Sequence, residues 1–139
     1  MSYRSQTEAA LKTYLEGKVG VPVYAGTSDQ VKEMPCVIVS YMGGTENPPR
    51  TGNMEATIEI SIHGEVGEDA QPGALATHNE LVDNVEASLF FENLININTA
   101  SNDFHLFDIV EHTGIERDTE GTTLRETINI TLATALSDF

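Results

Sequence analysis

The segment Met54-Glu55-Ala56-Thr57-Ile58-Glu59-Ile60-Ser61-Ile62-His63 alternates apolar and polar residues without a break. Met54, Ala56, Ile58, Ile60 and Ile62 share one parity, and Glu55, Thr57, Glu59, Ser61 and His63 share the other. Successive side chains of a β-strand point to opposite faces, so this spacing predicts a strand with one face in a core and the other wet.

Immediately upstream, residues 43–53 (GGTENPPRTGN) hold three Gly and two Pro in eleven positions, which predicts a long loop. Before it, Met34-Pro35-Cys36-Val37-Ile38-Val39-Ser40-Tyr41 is short, β-branched and bounded by breakers, as expected of a central strand buried on both faces. Residues 19–24 read as a short extended piece, and Pro22 removes a ladder donor, which places that piece at an edge or at the start of a strand. Over residues 5–16, Ser5-Gln6-Thr7-Glu8 forms a capping-box pattern, Ala10, Leu11, Tyr14 and Leu15 recur at helical spacing, and Gly17 supplies a stop.

Downstream, residues 64–73 form a second acidic, Gly-containing loop. From Pro72 on, Leu75, His78, Val82, Val85 and Leu89 step by three or four with Asn79, Glu80, Asp83 and Glu86 opposite, which is an amphipathic helix. The Asn-rich stretch 93–103, with Ile95 and Ile97, fits either a strand or an ordered loop. In residues 104–117, Phe107 and Ile109 lie on one parity and Leu106 and Val110 on the other, so a bulge or two-sided burial is expected. Asp118-Thr119-Glu120-Gly121 reads as a turn into a last strand whose Leu124, Ile128, Ile130, Leu132 and Leu136 share one parity. The expected architecture is a single α+β domain over residues 1–139: a single-layer, mostly antiparallel β-sheet, two α-helices packed on one face, and a long C-terminal β-hairpin.

Seven Lys and Arg against 22 Asp and Glu give a net charge of −15 on 139 residues, with 40% apolar residues. That apolar fraction supports one continuous core and argues against a disordered chain. Residues 51–116 contain 13 acids and no Lys or Arg, so one face or rim is strongly negative. Phosphate backbones and anionic lipid heads repel such a surface, which leaves no basis for a nucleic-acid reader or a membrane-surface protein. The start, MSYRSQTEAAL, lacks the apolar core of a secretory signal, and the longest apolar run is far too short to span a bilayer, so synthesis in the cytoplasm is expected.

No residue pattern anchors enzyme chemistry. The histidines, at 63, 78, 105 and 112, lack metal-ligand spacing; His63 with Glu65 could meet Glu111 and His112 only across neighbouring strands. His78, on an apolar helical stripe, reads as a buried histidine bonded to a carbonyl. Cys36, among Val and Ile, reads as an unreactive packing residue. No nucleophile elbow, phosphate loop or dinucleotide fingerprint occurs. Neither catalysis nor a cofactor is expected. In so acidic a chain each arginine has several carboxylates to choose from: Arg117 and Arg125, flanking the C-terminal turn, fit either pairs across the hairpin or contacts with a neighbouring subunit.

Two stretches carry a resemblance to a known family. Val21-Pro22-Val23-Tyr24-Ala25-Gly26 followed by Met34-Pro35-Cys36-Val37-Ile38-Val39 resembles the "VYDG…LPYVVL" signature of the tail terminator and tail completion proteins (minor tail protein U-like) of long-tailed bacteriophages. Glu116-Arg117-Asp118-Thr119-Glu120-Gly121-Thr122 leading into Ile128-Asn129-Ile130-Thr131-Leu132 is similar to that family's "RDxDGxxxxxxLxFxA" close. The likeness runs from about Ala10 to Leu136; Ser28-Asp29 stands where the family often has a further Pro, and Cys36 where it usually has an aromatic.

The resemblance implies a virion protein without catalytic residues. It would assemble as a homo-hexameric ring on the head-proximal end of the tail tube, stop polymerisation of the tube protein, and present the surface to which the head-closure or connector protein docks. DNA would be passing cargo only, and a negative lumen would let the duplex slide. Recognition would then lie in exposed loops and charges, with Glu46, Arg50, Glu65, Glu68, Asp69, Arg117, Asp118 and Arg125 as candidate interface residues. The alternatives are another neck or tail component, such as a head-closure ring or a tube protein, and an acidic DNA mimic that uses Glu80, Asp83 and Glu86.

Overall fold

The computed structural model describes residues 3–26, 29–30, 33–46, 53–67, 72–100 and 104–136. The chain order is α1 (Tyr3–Glu16), β1 (Val23–Ala25), β2 (Cys36–Glu46), β3 (Asn53–Glu65), α2 (Ala74–Ser88), α3 (Phe91–Leu94), α4 (Ile97–Ala100), β4 (Phe104–His112), β5 (Glu116–Glu120) and β6 (Thr123–Leu136). The six strands form one sheet in the order β1-β2-β3-β6-β4, with β5 also against β6. Only β1 and β2 run parallel; every other pairing is antiparallel.

The alternating segment is the centre of this sheet. Ala56, Ile58, Ile60 and Ile62 of β3 are fully buried and meet Leu132, Ile130, Ile128 and Glu126 of β6 in register. Leu11, Leu15, Val82 and Val85 cover that same face, so α1 and α2 lie on one side of the sheet and share one core. Two bonds tie the helices into place: the Tyr14 hydroxyl donates to the Ser88 carbonyl at 2.7 Å, and the Tyr41 amide donates to the Glu8 carboxylate at 2.8 Å. Glu8 is almost fully buried, so this acid serves the open flank of β2 beyond the end of β1. Helix α1 starts at Tyr3, two residues before the capping-box serine.

Several expectations change. Residues 43–46 are strand and not loop: Gly43, Gly44, Thr45 and Glu46 pair with Thr57, Ala56, Glu55 and Met54 after a register shift beyond Tyr41. A Cβ on Gly44 would lie 2.3 Å from the Tyr41 hydroxyl, so the glycine makes room for the tyrosine ring in place of breaking the ladder. For the stretch 93–103, expected as strand or loop, the described part falls in two short helical turns, Phe91–Leu94 and Ile97–Ala100, which bury Leu94 and Ile97. Leu75 is exposed, and the buried stripe of α2 starts at His78.

In β4 the register skips between Leu106 and Asp108 and again between Ile109 and Glu111. Phe107 and Val110 are the extra residues, each more than half exposed, so bulges and not two-sided burial explain the mixed pattern. Strands β4 and β5 lie end to end along β6. Thr113 bridges the gap between them, its amide donating to the Asn129 carbonyl at 2.9 Å and its hydroxyl oxygen accepting the Asn129 amide at 3.0 Å. Asp118 and Glu120 belong to β5, and the turn is the two-residue Gly121-Thr122, with Gly121 at φ 60°.

Candidate functional site

Four of the eight candidate interface residues gather at one end of the sheet. Arg125 of β6 stands between His63 of β3 and Asp118 of β5 on the face away from the helices, and two residues along Glu65 pairs with Thr123. Glu65 also accepts a bond from the Thr122 hydroxyl at 3.2 Å. Glu46 lies at the opposite end of β2, across from Met54. Arg50, Glu68 and Asp69 lie outside the described residues.

Arg117 points the other way, toward the helices. Its register partner Glu126 sits on the apolar parity of β6, only 2% exposed, and its carboxylate accepts the Arg117 Nε–H. A buried carboxylate is costly unless paired, which explains why the cation is drawn to it. The Arg117 Nη2 donates to the Asn79 side-chain oxygen at 2.7 Å, so the C-terminal hairpin is fastened to the first half of α2. Of the two roles open to Arg117, the intramolecular pair is present. His78 lies next to this carboxylate, its Nε2 3.4 Å from Glu126 Oε1, where a backbone carbonyl was expected. Gly64 accommodates the imidazole: a Cβ there would stand 2.4 Å from His78 Nδ1.

On the outer face, Cys36 is fully buried opposite His63, and burial pushes its thiol up, away from the reactive thiolate. His63 is held below the ordinary histidine value, first by burial and then by the positive charge of Arg125; its Nε2 lies 3.1 Å from the Ser61 hydroxyl. His63, Glu65, Glu111 and His112 do not converge, because β6 separates β3 from β4. His112 instead stacks on Phe90, ring centroids 5.9 Å apart. Among the described residues no group of three or more His, Cys, Asp or Glu is placed to hold a metal ion.

Two further surfaces stand out. A cavity of about 430 Å³ opens beside the first turns of α2, lined by Val21, Met34, Pro35, Ala74, His78 and Leu81 among others. The free side of β4 carries the bulged Phe107 and Val110. Farther back on that side, the Asn98 side chain clamps Leu106, accepting its amide at 2.6 Å and donating to its carbonyl at 2.9 Å. No helix among the described residues is long and apolar enough to cross a membrane. The chain matches no family model and no curated protein sequence.

Two features of the sequence mark the Arg117 site. Glu126 is an acid on an otherwise apolar strand parity, and a two-residue turn at Gly121-Thr122 sets Arg117 directly across from it. The cavity had no such signal, since its walls come from segments far apart in the chain.

Proposed function

We propose that the chain is a structural protein of a long-tailed bacteriophage virion, a tail terminator that closes as a homo-hexameric ring on the head-proximal end of the tail tube. The ring stops further addition of tube subunits and offers its other face to the head-closure or connector protein. The observation that carries this reading is where the two family-like stretches fall. Val23–Ala25 pairs in parallel with Val37–Val39, and the Arg117-Asp118-Thr119-Glu120-Gly121 stretch closes the hairpin onto the other side of the same sheet.

The physical case is one of surface and charge. A net charge of −15, with no Lys or Arg in residues 51–116, gives a body that repels DNA, and a duplex passing through a ring of such bodies slides without sticking. Docking is then the work of exposed side chains mounted on a rigid sheet, for which the end bearing Glu65, Asp118 and Arg125 is suited.

The test is electron microscopy of particles assembled from a parent phage in which this gene carries an amber mutation. Filled heads beside separate, overlong tails support the terminator reading. Joined tails of normal length sink it and favour the DNA mimic, whereas filaments formed by the purified protein alone favour a tube subunit.

A further inference from the structure

Between α2 and the C-terminal hairpin, one buried carboxylate faces two possible cations. Glu126 Oε1 accepts the Arg117 Nε–H and lies 3.4 Å from His78 Nε2. The acid and the imidazole are each 2% exposed, whereas the guanidinium is 47% exposed. Neither ring nitrogen of His78 has a hydrogen-bond partner among the described residues. A neutral imidazole brings one N–H donor and one bare acceptor, and buried polar groups are nearly always paired. The fold thus buries this ring and leaves it short of partners.

The surroundings of the ring offer it no better partner than Glu126. From α2 the adjacent side chain is Asn79, whose oxygen is taken by Arg117 Nη2 at 2.7 Å. Strand β3 sets Gly64 against the ring; Glu65 shares the cavity wall, and its carboxylate accepts the Thr122 hydroxyl at 3.2 Å. Arg117 comes from β5 and Glu126 from β6, while His63 and Arg125 pair on the opposite face of the sheet. The remaining cavity walls, Val21, Met34, Pro35 and Leu81 among them, carry no charge.

Adding a proton to the ring changes which cation the carboxylate should keep. Protonated His78 has two N–H donors and a charge that it cannot take to water, and a buried charge is costly unless paired. Arg117 holds its charge at a half-exposed position, where water replaces a lost ion pair at little cost. Two cations against one carboxylate oxygen also repel each other. Burial therefore decides the competition in favour of the histidine. The cavity reaches His78, which gives a proton a path from solvent. Arg117 already borders a polar depression lined by Glu59, Glu116, Asp118 and Arg125, so acids stand beside the released guanidinium.

We infer that Glu126 is the shared carboxylate of a proton-operated exchange: neutral His78 leaves it to Arg117, and protonated His78 takes it and releases Arg117 to the surface. The step moves one proton from solvent to the ring and breaks no covalent bond. It loosens the fastening of the hairpin to α2 and adds a free cation to the end of the sheet that carries Asp118 and Arg125. The exchange does not depend on the ring reading.

The test is a pH titration of the full chain by nuclear magnetic resonance, from about pH 8 to about pH 5, the range in which histidine changes charge. It follows the Arg117 Nε–H and the His78 Cε1–H, both assigned by through-bond experiments. In the wild type the Arg117 signal should move from a downfield, hydrogen-bonded position to that of a solvated arginine, with the same midpoint as the His78 ring. In H78Q it should stay downfield throughout, and at about pH 5.5 the Arg117 Nε–H should exchange with water roughly tenfold faster in the wild type than in H78Q. H63Q should behave as the wild type. H78N is a second neutral replacement, circular dichroism checks that each variant folds, and the comparison of the two wild-type midpoints needs neither.

An Arg117 signal that holds still while His78 titrates would overturn the exchange. So would a transition that persists in H78Q or H78N, which assigns the proton to Glu126, or one that disappears in H63Q. A His78 ring that takes up no proton before the chain unfolds would overturn it as well.

Discussion

Replacing Arg117 with methionine leaves Glu126 inside the protein without its cation, and the cost follows from where each partner sits. Exposed ion pairs contribute about 0–1 kcal/mol, and removing one partner of a fully buried pair costs roughly 3–5 kcal/mol. The acid is 2% exposed and the arginine 47%, so R117M should fall between these limits, at about 2 kcal/mol. For a domain of this size that is a fall in Tm of roughly 6–10 °C. The reverse change, E126L, should cost less, about 1 kcal/mol, because the half-exposed guanidinium is left in contact with water. The double variant R117M/E126L should return to within about 1 kcal/mol of the wild type, since two apolar groups replace a paired acid and base. Urea unfolding followed by circular dichroism at neutral pH, with an unchanged slope, measures all three. A loss below about 0.5 kcal/mol for R117M, or a double variant as weak as R117M, would refute the idea that Arg117 exists to neutralise a buried acid.

Three further outcomes follow from the same geometry. G64A should lose roughly 1–3 kcal/mol because its Cβ would meet the buried His78 ring, and adding H78A should restore part of that loss in thermal melts. N98A removes both bonds that clamp the Leu106 backbone and should cost roughly 1–3 kcal/mol; hydrogen exchange should show the Leu106 amide opening faster. His63 has a lowered value in the folded state, so on acidification the unfolded chain takes up its proton first. Stability should therefore fall as pH drops through about 6.5 and level off below the folded value, and H63Q, which keeps a partner for Ser61, should flatten that decline in urea midpoints taken at about pH 7.5 and about pH 5.5.

What could be read in advance was whatever a local period encodes. Met54 to His63 announces a half-buried strand because its pattern needs no knowledge of neighbours, and residues 74–88 announce a helix in the same way. Gly43 and Gly44 mislead because glycine reads locally as a breaker, while the ladder they join is supplied by Thr57 and Ala56 on another strand. The stretch 93–103 misleads because Ile95 and Ile97 alternate like a strand over too short a span, whereas the core takes Leu94 and Ile97, a helical spacing. Charge and loop composition pick out Glu65, Asp118 and Arg125 one by one, and only the register of β3, β5 and β6 shows that they are neighbours. The bulges of β4 and the cavity beside α2 depend on strand register and on distant segments meeting, and no local pattern carries either.

As proposed above, the chain would end a tail tube by forming a ring on it. The most direct measurement is electron microscopy of tail tubes taken from particles made without this protein, incubated with the purified wild-type chain and with additional tube subunits. A sixfold ring at one end of each tube, together with arrested growth there, is the predicted result. Tubes that keep growing with bare ends, while the added protein stays free in solution, would contradict it.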